Sequence, residues 1–133
     1  MVRLGVVLLM KMAALDAEDL LVLSTLLEGA LLRASDMTYQ AREQRFVAVL
    51  TRKDDPAQSP SRPAGLHFNR VTKVKSIGMP DRSSKTVLTL IGLMFNPSEA
   101  PSGDVILAFE NDVAIKLTVE CLEVALSDLA PQK

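Results

Sequence analysis

Most of the side chains that carry out chemistry are scarce in this chain. There is one cysteine and one histidine, no tryptophan, one tyrosine and four phenylalanines. With a single cysteine, Cys121, no disulfide can form within the chain, so a reducing cytoplasm is the simpler setting. Cys121 itself is expected to be a small buried hydrophobe on a strand. One histidine and one cysteine cannot make the usual closed zinc site, and a nucleophilic cysteine would have to share that lone His67 as its base. No glycine-rich phosphate loop, no GxSxG and no HExxH occurs. The acidic turns Asp54-Asp55 and Glu110-Asn111-Asp112 lack the alternating oxygens and glycine bend of a calcium loop. Accordingly no catalytic residue, metal or cofactor is assigned from the sequence. With aromatics at 4%, the core has to be aliphatic, and a nucleic-acid surface would have few stacking platforms.

What the chain does have is aliphatic residues and order. At 133 residues and 48% hydrophobic, it reads as one domain that can bury roughly two-thirds of its unfolded surface in a single core. Thr86-Val-Leu-Thr-Leu-Ile-Gly-Leu-Met-Phe95 is apolar on both faces. It predicts a central strand covered on two sides, with Val87, Thr89, Ile91, Leu93 and Phe95 pointing one way and Leu88, Leu90 and Met94 the other. Val105–Phe109 and Val113–Val119 flank a short polar break and predict a tight hairpin. Asp36–Gln40 and Arg45–Thr51 predict a second hairpin. The stretch Leu66–Lys75 reads as one strand whose apolar phase slips near Asn69-Arg70, as a bulge would cause. Residues 121–129 fit either a strand or a short helix, and the strand is preferred. The proline-rich segment Asp54–Pro63 reads as a surface connection that cannot be a central strand.

Asp16 is a good helix N-cap, with Asp19 at the third helical position. The predicted helix runs from about Ala17 to Arg33, with Leu20, Leu23, Leu27, Ala30 and Leu31 on one face. Leu21, Val22 and Leu32 fall on the opposite side. That surplus apolar face implies cover by a second subunit, by a loop or by the amino-terminal segment, and it marks these three as a candidate interaction face. The first eleven residues read as an extension or an over-called start. Their apolar run is far too short to cross a bilayer, and no clear cleavage site for a secretory signal follows.

Charge is unevenly spread along the chain. Arg42–Lys85 holds ten Lys/Arg against four Asp/Glu, a net +6, while the remainder to Lys133 is net −5. Either acidic and basic strands lie side by side and neutralise each other, or Arg70, Lys73 and Lys75 build an anion-binding face. An enzyme would have to assemble its site from scattered groups such as His67, Glu120 and Glu123.

Ala14-Leu-Asp-Ala-Glu-Asp-Leu20, Glu43-Gln-Arg-Phe46, Gly65-Leu-His-Phe68, Arg70-Val71 and Val119-Glu-Cys-Leu-Glu123 together resemble an uncharacterised family found mainly in alphaproteobacteria, domain of unknown function number twenty-nine forty-eight. The resemblance covers about Met12 to Ala130. Family members begin a few residues before the first of these segments, which supports the reading of an over-called start. The chain departs from the family pattern at Gly29-Ala30 and at Thr51-Arg-Lys-Asp54. The resemblance implies no activity and transfers no functional residue. The expectation is therefore an α+β domain over residues 12–130, one helix packed on a curled antiparallel sheet of about six strands. Its expected role is that of a small cytoplasmic non-catalytic binding protein, self-associating, with anion or nucleic-acid binding through residues 42–85 and an enzyme with a non-motif site as the alternatives.

Overall fold

The structure, a computed structural model, describes residues 11–52 and 62–129. Its chain order is β1 (Lys11–Ala14), α1 (Ala17–Leu27), β2 (Leu31–Leu32), β3 (Met37–Gln40), β4 (Arg45–Arg52), β5 (Arg62–Phe68), β6 (Val71–Ile77), β7 (Leu88–Pro97), β8 (Gly103–Phe109), β9 (Val113–Val119) and β10 (Val124–Asp128). Every pairing is antiparallel, in the order β1-β10-β5-β4-β2-β7-β8-β9-β6, and β3 pairs with β4 beside that path.

The helix-on-sheet reading holds, but the sheet has ten strands where about six were expected. Three local features account for the difference. The stretch read as one bulged strand breaks in two at Asn69-Arg70, where Arg70 adopts φ 62°. Lys11–Ala14, at the boundary of the expected extension and given no strand, pairs with Ser127–Val124 as an edge strand. The predicted helix stops at Leu27, six residues early, because Gly29 takes φ 88° and turns the chain out of the helix. Leu31 and Leu32 are thereby released to bridge β4 and β7.

The helix start is as expected: the Asp16 carboxylate accepts the Asp19 N–H at 2.8 Å, satisfying one of the free amides of the first turn. The hairpin between β8 and β9 is also as expected, with Asn111 and Asp112 both at positive φ. Val124–Asp128 is a strand, as preferred. Cys121, expected on a strand, instead lies half-buried in the turn between β9 and β10. Most of the proline-rich loop lies outside the described residues, but its end does not. Arg62 and Pro63 open β5, which runs between β10 and β4 in the interior of the sheet.

The sheet is built over one core. At one corner the β5–β6 bend runs alongside the β9–β10 connection, joined by Asn69 N–H to Glu123 C=O (2.9 Å) and Glu120 N–H to Arg70 C=O (3.0 Å). Alternation then puts Ala64, Leu66 and Phe68, Val105, Leu107 and Phe109, and Ile115, Leu117 and Val119 on one inner face. Leu20, Leu23 and Leu27 of α1 join the same cluster.

The expectation that β7 is covered on both faces is overturned. A bulge between Leu90 and Gly92 resets the alternation, so Leu88, Leu90 and Leu93 point inward. Val87, Ile91 and Met94 are about half exposed. At the bulge, α1 comes close: the Leu93 N–H donates to Ser24 Oγ at 2.8 Å. A Cβ on Gly92 would lie 3.0 Å from that oxygen, so the absent side chain makes room for the helix.

Candidate anion-binding face

Strand β9 alternates without interruption. Val113, Ile115, Leu117 and Val119 face the core, so Ala114, Lys116 and Thr118 face outward. Register carries this outward to β6, because directly paired residues share a face. Val74 pairs with the buried Leu117, while Lys73 pairs with Thr118 and Lys75 with Lys116. A shift between Val71 and Lys73 absorbs Thr72, whose hydroxyl donates to the Thr118 carbonyl at 3.3 Å. Without that shift, the alternation begun at the buried Val71 would turn both lysines inward.

Lys73, Lys75 and Lys116 therefore stand together on one outer face. Among the described residues, none of the three has a carboxylate within 4.0 Å. The carboxylate next in register, Asp104, already accepts the Thr118 hydroxyl at 2.9 Å. Two like charges directly opposite each other cost roughly 0.2–1 kcal/mol that a neutral pair would not.

Neutralisation between the basic and acidic parts of the chain does occur, but elsewhere. Arg52 holds Asp128 through Nε–Oδ1 and Nη2–Oδ2, both 3.1 Å, with side chains 13% and 2% exposed. Arg70 does not join the lysines. At the corner its Nε lies 3.9 Å from Glu123 Oε1. Glu123 also accepts from Asn69 Nδ2 at 2.8 Å, and Asn69 Oδ1 accepts from Arg45 Nε at 3.0 Å. This polar chain ties β4, β5 and the β9–β10 turn together across the bend.

His67 lies on the outer face of β5, between Val47 and Ala125. No described hydrogen bond joins it to Glu120 or Glu123, the partners a scattered active site would need. Among the described residues, no group of three or more His, Cys, Asp or Glu could hold a metal ion. No helix there is long and apolar enough to cross a membrane. A cleft of about 530 Å³ opens beside the two-residue β2, lined by Glu28, Leu31, Thr51, Arg52, Ile91 and Glu110. Its carboxylates Glu28 and Glu110 oppose the sign of the lysine face, and Arg52, the cation among its described lining residues, is tied to Asp128.

The predicted interaction face is divided. Leu21 and Val22 are 65% and 55% exposed on α1, but Leu32 is 4% exposed, pointing into the core from β2. Leu32 was misplaced because the helix was drawn through Gly29. Lys116 was overlooked because it sits in the acidic third of the chain. Its alternation was readable, but its position opposite Lys75 was not.

The family described as Protein of unknown function (DUF2948) matches residues 10–133. The chain belongs to this family. No curated protein matches the chain. No solved structure matches it either. The family's description states no activity, so the functional reading rests on the geometry.

Proposed function

We propose that this member of the family is a binding protein rather than a catalyst, and that it holds an anionic partner on the outer face of β6 and β9. The observation that carries this reading is Lys75 directly opposite Lys116, with Lys73 beside them and, among the described residues, no carboxylate within 4.0 Å of any of the three. A sheet tolerates such a pair at a cost in stability, and a ligand that neutralises it recovers that cost. A cytoplasmic setting is part of the proposal, on the ground of the single cysteine.

Stability and binding should move in opposite directions. Lys75→Gln is expected to raise stability by up to about 1 kcal/mol, since it removes the like-charge pair. Retention on immobilised heparin should weaken in the same variant and vanish in Lys73→Gln/Lys75→Gln/Lys116→Gln, while the exposed Arg33→Gln elutes with wild type. Wild-type retention should fall steeply with added salt, as counterion release requires. Wild-type protein that passes through heparin at low salt would end the proposal.

A second reading, self-association through α1, is favoured by the exposure of Leu21 and Val22, and of Leu15 (66%) just before the helix. Light scattering at micromolar concentration should then give a dimer mass for wild type and a monomer mass for Leu21→Glu/Val22→Glu, with unchanged thermal stability. A monomeric wild type removes this reading.

A further inference from the structure

The lysine face borders an unpaired strand edge. Among the described residues, strand β6 ends the sheet path, with a ladder to β9 on one side only. Among the same residues, strand β3 pairs only with β4. The two free edges face each other across a groove of about 160 Å³, floored by Met37, Phe46, Val74, Met79 and Ile115. No ladder joins them among the described residues, though at one end the Val71 N–H donates to the Gln44 carbonyl at 2.8 Å. Two side chains also span the gap. Tyr39 Oη donates to the Val71 carbonyl at 2.8 Å, and Arg82 Nη1 donates to the Met37 carbonyl at 2.6 Å.

We propose that this edge accepts an extended acidic segment of a partner protein as an added strand on β6. The inference rests on the anionic-partner reading above and names the partner's form. Main-chain bonds to β6 would supply affinity, and alternate side chains would supply selectivity. The register of β6 dictates the pattern. A partner residue opposite Val74 points into the groove, onto Met79 and Ile115, and is apolar. Residues opposite Lys73 and Lys75 point outward and are acidic. A second copy of this chain is a poor occupant. Pairing β6 with its own twin would set Lys73 and Lys75 against the same lysines, the usual device by which edges repel each other. The same lysines attract a strand of opposite sign.

The test uses the full chain and three short capped fluorescein peptides. In the first, valine and glutamate alternate. The second has the same composition with all the valines first. In the third, valine and lysine alternate. The alternating acidic peptide should bind at least about tenfold tighter than the block peptide, a difference near 1.4 kcal/mol, and the lysine peptide should not bind. Hydrogen exchange of the complex should slow across residues 72–77 of β6. The uncharged edge substitution Val74→Asn should weaken the alternating peptide while leaving the three lysines, and with them heparin retention, in place. Equal affinity for the alternating and block acidic peptides would overturn strand addition and leave the anionic reading standing. Slowed exchange on another element would overturn it as well. Failure of both acidic peptides together with heparin would remove both proposals.

Discussion

Asp128→Ala should lower the unfolding free energy by about 3–5 kcal/mol, a large share of the roughly 5–15 kcal/mol that holds an ordinary domain together. Asp128 continues the inward alternation of Val124 and Leu126 on β10, and it is the buried charged residue among the described positions. Both of its oxygens meet the Arg52 guanidinium at 3.1 Å, in the parallel geometry that makes arginine–carboxylate pairs strong. Alanine removes the acceptor and leaves a guanidinium only 13% exposed, and the cost of that stranded charge dominates. The pair itself adds little beyond what an apolar pair would. Arg52→Met/Asp128→Leu should therefore be far less destabilised than the sum of its two single substitutions, and a double-mutant cycle from chemical denaturation midpoints checks this. If Asp128→Ala and the double substitution lose equal stability, the pair is not coupled as its geometry requires.

Phe68→Ala should cost about as much, roughly 3–5 kcal/mol, for a different reason. Phe68 is fully buried at the last position of β5, immediately before the chain turns the corner into β6. It is flanked in register by Phe46 on β4 and Val124 on β10. The two phenyl rings lie 6.3 Å apart at 52°, within the range of favourable tilted contacts. Alanine would leave a cavity at the bend, where the polar chain from Arg45 to Glu123 closes the outer side and limits collapse. The midpoint of thermal unfolding should fall by about 4 °C for each kcal/mol lost in a domain of this size. Phe68→Leu, which keeps the site filled, should lose much less. A loss for Phe68→Ala no larger than for Phe68→Leu would show that the corner relaxes and that this ring does not hold it.

Several features were legible from residues alone because they are local. Asp16 announces a helix start by the chemistry of its own side chain. Asn111-Asp112 tolerates the positive φ that its turn needs. The uninterrupted alternation of Val113–Val119 places Lys116 outward before any partner strand is known. Gly29 was equally readable as a helix stop, and passing over it placed Leu32 on the wrong surface.

The chain by itself therefore determined the antiparallel sheet, the helix start, the aliphatic core and the basic middle segment, since propensity, capping and period act within a few residues. Only the tertiary structure decided that Lys75 pairs with Lys116, that Arg70 turns to Glu123 while Arg52 meets Asp128, and that β6 ends the sheet path among the described residues. Those outcomes depend on register, and register is set by a one-residue shift after Val71, a corner at Arg70 and a bulge before Gly92. Each is worth little locally. Yet with a side-chain period of two, a slip of one residue sends every later side chain to the opposite face.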